Sequence, residues 1–353
     1  MQNKFLVNNL SSDDSASKYL QTTVLIFFLL LFVGCGFQKE VSLSGKTMGT
    51  TYHITIVAGL FTNTKDLKDQ IDMRLDEINK SMSTFRKESE ISRFNAHETV
   101  GDKFRISGDF YNVMTAAKSV YEATDGAWDG TVKPLVDLWG FGKSENKHPI
   151  PEKSRIAALL SKMGFNNIEI HADHHLAKKN TTITLDLASI AKGYGVDQVA
   201  ALIRANGIDN FLVEIGGEVF AAGLRKDRKK WRIGINRPQK NAPIDEVYKV
   251  VHLQDKGFAT SGDYRNYFEV DQKRFSHVID PRNGYPVDNG VVSVSIIANT
   301  CTFADGLATA VMVLGHQKGI ELVNRLDNTE CLIVTQSKDG VLNDHYSKGF
   351  KTE

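Results

Sequence analysis

The chain has 353 residues, a formal net charge of +1, 41% hydrophobic residues and 24% charged ones. That balance carries no basic footprint for nucleic acid and no acidic tail, and it is the composition of an ordinary globular protein. Three cysteines, Cys35, Cys301 and Cys331, form no CxxC pair, so neither a disulfide framework nor a thiolate metal site is indicated, and spacing gives a Cys301–Cys331 bridge no support.

The first element is VLIFFLLLFV (Val24 to Val33), followed by Gly34 and Cys35. A comfortable membrane span needs about 20 residues, so this run reads as the h-region of a secretory signal. LFVGC is also similar to a bacterial lipobox, whose cysteine becomes the lipidated first residue. The region before it is weakly charged, with Lys4 and Lys18 offset by Asp13 and Asp14. A plain signal peptide or short anchor is the competing reading. Cys35 closes the h-region and is the only cysteine before Cys301. The expectation is therefore a lipoprotein-type signal over 1–34, lipidation at Cys35 and a tether over 35–45. The mature chain would sit outside the cytoplasmic membrane.

After the tether, TYHITIVAG (Thr51 to Gly59) alternates as a strand. DLKDQIDMRLDEINKSMS places Leu67, Ile71, Leu75, Ile78 and Met82 on one helical stripe. A second helix is predicted over Phe110 to Thr124, stopped by Gly126. A polar loop from Lys143 to Lys153 leads into a helix over Ser154 to Met163. Ile183 to Gly207 passes from strand to turn to helix. FLVEIGGEVFAAG, WRIGINRP, VYKVVHLQ, GFATSGDYRNYFEV, RFSHVIDPRNG and VVSVSIIA then read as strands and turns. TFADGLATAVMVLG (Thr302 to Gly315) is helical, as is Lys318 to Leu326, and Cys331 to Thr335 closes as a strand. The strands cluster in the middle of the chain, which predicts an α+β fold rather than regular βαβ alternation. No linker appears, so one compact unit is expected over 46–340, with a C-terminal tail over 341–353.

Four stretches carry candidate chemistry. In TFADGLATA, Asp305 and Thr309 lie one turn apart and present two oxygens suited to a hard cation. The alternative is a capping box, Thr302-x-x-Asp305, with Thr309 bonded back to its own helix. In LDLASIAKGYGVD, Asp186 and Lys192 flank a helix N-terminus, where free amides and a cation attract phosphate. A surface ion pair is the other reading, and no P-loop or GxGxxG is present. In GAWDGTV, Trp128 and Asp129 suit either a flat ring ligand or a core tryptophan beside an Asp-Gly turn. In SHVIDPRNG, His277 suits a general base or a structural role. No GxSxG elbow or HExxH supports a hydrolase.

Together and in this order, GKTMGTTY, STFRKESEISRFN, GAWDGTV, LDLASIAKGYGVD, EIGGEVFAAG, FATSGDY, SHVIDPRNG and TFADGLATA resemble the FAD:protein FMN transferase family, the ApbE-type flavin transferases. The match runs from about Val41 to Thr335. The resemblance implies a single compact T-fold-like flavin transferase domain. It implies that FAD is cleaved at its pyrophosphate, that FMN passes to a threonine hydroxyl of an acceptor protein, that AMP leaves and that Mg²⁺ is required. It implies FAD contacts from Met48, Phe85, Ala127, Trp128, Asp129, Asp186, Lys192 and Ile279, with Phe85 standing where other members often have tyrosine. It assigns the metal to Asp305, Thr309 and the backbone carbonyl of Ser189. It also casts His277 as the base for the acceptor hydroxyl, with Asp305 the other candidate and Arg265 a candidate charge partner near the phosphates. The acceptors carry a D-x-x-[ST]-G-A-[ST]-like motif that this chain lacks, so the partner is a separate flavoprotein, a membrane redox subunit or a periplasmic protein. An FAD pyrophosphatase, with water as acceptor, and a non-catalytic flavin carrier are the competing functions.

Overall fold

In the structure, a computed structural model that describes residues 38–141, 150–243, 246–263, 267–270 and 273–353, a long hairpin comes first. β1 (Gln38–Thr47) and β2 (Thr50–Gly59) pair antiparallel along their full length, Gln38 opposite Gly59 and Thr47 opposite Thr50. The expected signal segment, Cys35 and Arg265 lie outside the described residues. The expected tether is corrected by this pairing: from Gln38 onward it is strand, its alternation half-hidden because β1 is an edge strand with one face exposed.

α1 (Leu67–Met82) buries the stripe Leu67, Ile71, Leu75, Ile78 and Met82, as its periodicity requires. There follow α2 (Glu90–Asn95), β3 (Phe104–Arg105), α3 (Gly108–Ala123), α4 (Lys133–Leu138), α5 (Lys153–Leu160), β4 (Ile168–His171) and β5 (His175–Lys178). α6 (Ala188–Ala205) leads into β6 (Asn210–Ile215) and β7 (Glu218–Ala222). Then come β8 (Trp231–Asn236), β9 (Val247–Leu253), β10 (Lys256–Gly262), β11 (Tyr267–Val270), β12 (Lys273–Ser276) and β13 (Val291–Ala298). α7 (Cys301–Val323) is broken at Gly315, which adopts φ 79°, so its two halves match the two helices expected there. β14 (Glu330–Gln336) and β15 (Leu342–Tyr346) end the fold. The expected tail is thus corrected as well, since β15 pairs with β14.

Eight strands form one antiparallel sheet in the order β1-β2-β6-β7-β10-β13-β14-β15. Strand alternation gives it two faces. On one, Ile54, Ile56, Phe211, Val213 and Ile215 pack against α1 and α6, and Ile296 and Ile333 pack against α7. On the other, Val57, Val219 and Leu332 meet the β8–β9 hairpin through Trp231, Ile233 and Val251. A second core joins α2, α3 and the small β3-β5-β4 sheet to α6. Among the described residues, no helix is long and apolar enough to cross a membrane. Cys301 and Cys331 are both free and buried.

Candidate active site

The β1–β2 turn is built by Met48 and Gly49, both with positive φ (49° and 74°), the backbone of a tight two-residue hairpin. This turn overhangs a cleft of about 1100 Å³. The far wall is α1, with Asp72, Asp76 and Asn79; the rim is Ser83 to Arg86; the floor is the start of α6. Met48, Phe85, Asp186 and Lys192 all line it, so the fold gathers four of the residues expected to contact FAD from three distant segments. Phe85 is 79% exposed and sets its ring at the rim. Asp186 closes an Asx turn by accepting from the Ala188 amide (2.9 Å), which starts α6 beneath the cleft.

Below that floor the charges converge. Lys192 Nζ lies 2.5 Å from Glu218 Oε1. Glu218 opens β7 after the Gly216–Gly217 turn, whose φ values of 60° and 102° favour glycine, and it is 2% exposed. Asp305 is 3% exposed and accepts from the Gly193 amide at 2.9 Å. Burial pushes the Asp305 carboxyl up, against the opposing pull of Lys192. Burial first, and then the charge of Asp305, push the Glu218 carboxyl up to about 8. Burial alone would lower the Lys192 ammonium, but Asp305 and Glu218 together hold it above its ordinary value. Two buried carboxyl groups therefore face one ammonium, and Glu218 Oε2 has no hydrogen-bond partner among the described residues. One turn beyond Asp305, the Thr309 hydroxyl sits 3.2 Å from Ser261 Oγ on β10.

The capping-box reading of Asp305 does not survive. The cap of α7 is Thr300, whose hydroxyl accepts from the Phe303 amide, and Thr302 is already the second helical residue. Asp305 instead bonds across to α6. Gly193 makes that crossing possible, because a β-carbon there would stand 2.4 Å from the Cys301 carbonyl oxygen.

A model of the ApbE family matches residues 48–333. The chain belongs to the ApbE family. The FAD:protein FMN transferase of Vibrio cholerae serotype O1 is 41% identical to it over 333 residues, 93% of this chain and 97% of the relative. That of Escherichia coli K12 is 36% identical, covering 85% and 88%. The solved flavin transferase ApbE from Vibrio cholerae superposes with a TM-score of 0.79 at 38% identity, covering 89% of this chain and 98% of that one. The apo form of Pseudomonas stutzeri flavinyl transferase ApbE also gives 0.79, at 36% identity, covering 89% and 96%.

Other expected site residues of this ApbE-family chain stand elsewhere. Ala127 and Trp128 are each 1% exposed, in the core. Trp128 packs edge-on against Phe165 and donates its indole N–H to Ser189 Oγ at 2.9 Å, so it orients the start of α6 and presents no ring face. Asp129 spends its carboxylate on the Thr131 amide and hydroxyl and on the Phe165 amide, the turn-forming role. Ile279 is 5% exposed, packed with Leu135, Trp139 and Phe275. His277, just after β12, is half-buried with its ring edge-on to Phe141 at 6.3 Å. Neither Ile279 nor His277 lines the cleft.

Three residues of the site escaped the individual reading. Glu218 had a signal: an acidic side chain opening a wholly buried strand after Gly-Gly. Ser261 had none beyond its place in FATSGDY. Asp197, one turn beyond Gly193, accepts from the Cys301 amide (2.9 Å) and the Thr302 amide (2.8 Å), and so ties α7 to α6.

Proposed function

We propose that this chain is an FAD:protein FMN transferase that binds FAD in the cleft over α6 and moves FMN onto a threonine hydroxyl of an acceptor protein, releasing AMP. The observation that carries the reading is the meeting of Lys192, Asp305 and Glu218 beneath a cleft large enough for a dinucleotide. A pyrophosphate under attack gathers negative charge, and its reaction is mainly a matter of positioning and neutralisation. Lys192 supplies one fixed cation there. The names of the relatives support the same activity.

Mg²⁺ is part of the proposal. Among the described residues, no cluster of three or more His, Cys, Asp or Glu side chains stands ready for a metal. The residues nevertheless fit a hard cation. Two buried carboxyl groups share one ammonium, so a hard cation bound there would take the place of the proton that burial keeps on Glu218, and Thr309, Asp305 and the Ser189 carbonyl are all oxygen donors. When bound, the ion would neutralise pyrophosphate oxygens as charge develops on them. Asp305, buried and committed to the Gly193 amide, is poorly placed to take a proton from an incoming protein. His277, partly exposed but outside the walls of the cleft, is the base that the family resemblance offers, and it would act on a hydroxyl brought in by the acceptor. The acceptor Oγ then forms its bond to the FMN phosphorus, the bond to the AMP oxygen breaks, and the hydroxyl proton passes to His277.

Incubation with FAD, Mg²⁺ and an acceptor fragment bearing D-x-x-[ST]-G-A-[ST] is expected to add one FMN moiety to the acceptor's mass. Steady release of FMN and AMP with no mass gain would replace the transferase by a pyrophosphatase. Asp305→Ala is expected to slow transfer by about 10²-fold or more; an unchanged rate would remove it from the metal site. His277→Ala is expected to slow transfer by about 10²-fold with FAD still bound, and a wild-type rate would remove it as base.

The same proposal includes attachment. Lipidation at Cys35 would hold the enzyme on a membrane facing the periplasm, within reach of a membrane redox subunit or a periplasmic flavoprotein. Palmitate labelling that persists in Cys35→Ser would contradict it.

A further inference from the structure

The β1–β2 hairpin gives the molecule two ends. Its turn, Met48–Gly49, overhangs the cleft. Its open end is the pair Gln38 and Gly59, and Gln38 comes three residues after Cys35. Three residues reach at most about 10 Å. A membrane attachment at Cys35 therefore holds this open end close to the headgroups.

Two features stand at that end. Beside Gly59, Leu60 is 50% exposed and Phe61 is 99% exposed. The turn that bears them is fixed: the Thr62 amide bonds the Gly59 carbonyl (3.0 Å), and Lys39 Nζ bonds the Thr62 carbonyl (2.8 Å). A bare aromatic tip on an ordered turn suits the boundary between headgroups and acyl chains.

The second feature arrives through the sheet register. Val57 pairs with Asn210, and Phe211 pairs with Ala222. β7 therefore leaves the sheet at the same end, two strands from β2, or about 10 Å away. The segment that follows is RKDRKK, Arg225 to Lys230, with five cations and one anion, and residues 226–230 are exposed. It is an ordered turn, with Arg225 and Lys229 bonded through their backbones (2.9 Å). Asp227 is paired with Arg225, and Asp255, below it, with Arg204. Lys226, Arg228, Lys229 and Lys230 make no ion pair among the described residues. Such a cluster beside an attachment point is drawn to anionic lipid.

We propose that the end formed by Leu60–Phe61 and the Arg225–Lys230 turn is a docking surface for an anionic lipid bilayer, a second contact beside Cys35 that turns the cleft away from the membrane. The proposal rests on the membrane attachment inferred above. Ten residues of strand then separate the bilayer from the Met48 turn, about 30 Å. The cleft opens at a set height, where the domain of an acceptor can reach it.

The test uses the full chain, purified from membranes and reconstituted into phosphatidylethanolamine–phosphatidylglycerol vesicles. Phe61→Trp places a fluorescent reporter on the tip, and Phe85→Trp, in a separate variant, places one at the cleft; the three native tryptophans are subtracted with the parent chain. The expected result is a blue-shifted emission from the tip reporter, quenched by lipids brominated on their acyl chains, with the cleft reporter unaffected. Adding Lys226→Glu, Lys229→Glu and Lys230→Glu is expected to lower the quenching of the tip reporter at least about twofold, as is replacing phosphatidylglycerol by phosphatidylcholine. A chain that floats with its vesicles while the tip reporter remains unquenched overturns the docking surface and leaves the attachment standing. Quenching unaffected by the charge reversals and by neutral lipid overturns its anionic character. A chain that does not float at all overturns the attachment, and this proposal with it.

Discussion

Glu218 shows how a single residue is set by its surroundings. Its carboxyl is almost wholly buried, shares Lys192 with Asp305, and leaves one oxygen unpartnered among the described residues. Burial and Asp305 raise it from 4.5 to about 8, further than Lys192 can bring it back. The folded protein thus holds a proton that the unfolded chain releases near pH 4.5. The stability linked to this proton is fully present below that pH and is lost as pH rises through about 8. Without FAD or metal, the denaturant midpoint of the wild type is expected to fall across this window, and that of Glu218→Gln to stay flatter. Parallel curves for the two proteins would show that another group governs the dependence. At this scale the sequence is partly legible. Lys192, Asp186 and Met48 sit in short stretches of recognisable chemistry and reach one cleft. Trp128 carries the same kind of signal, yet its ring goes to the core, because a large apolar side chain gains more from burial against Phe165 than from waiting for a ligand. Nothing local to GAWDGTV distinguishes those outcomes.

Helices and strands are easier to read where one face is buried and the other wet. The stripe of α1 and the alternation of β2 state their faces outright. α7 does not, because it is buried nearly all round and has no polar face to mark it. Its register against α6 comes from two residues whose function lies between elements. Gly193 lets the backbones meet, and Asp197 binds the first amides of α7. A capping box is the natural local inference for Thr302 and Asp305, and it fails because the acceptor for these first amides comes from another helix. Removing the Asp197 carboxylate leaves the Cys301 and Thr302 amides and the Thr302 hydroxyl without that acceptor. Asp197→Ala is expected to cost about 2 to 4 kcal/mol, read from denaturant unfolding. Because Asp305 and Thr309 ride on α7, transfer should fall along with stability. A variant as stable as the parent would mean that α7 is held in place by packing alone.

Across the whole molecule, the least legible parts are the two ends of the fold, and for one reason. Edge strands bury a single face, and a short one shows too few alternations to be distinguished from a polar tail. A tether is the natural reading of β1 and a tail that of β15, yet each closes one side of the eight-stranded sheet. The C-terminal segment does more than pair. Ser347 Oγ accepts from the buried Cys331 amide (2.8 Å), and Glu330 accepts from the Gly349 amide (2.9 Å). Asp344 accepts from the Tyr248 hydroxyl (2.7 Å), linking the sheet to β9. Phe350, 8% exposed, completes the cluster of Trp231, Val251 and Leu332. Ending the chain at Gly340 removes all of these and leaves β14 as a bare edge beneath an opened apolar cluster. The loss of Phe350 and Leu342 burial alone is worth about 3 kcal/mol, and the unpaired edge of β14 invites association between copies. The truncated protein is therefore expected to lose about 3 kcal/mol or more of stability and to aggregate on heating. Calorimetry and light scattering read both effects. The cleft stands at the opposite edge of the sheet, so FAD binding should persist below the lowered transition. A truncated chain that melts with the full one would return residues 341–353 to the status of a tail.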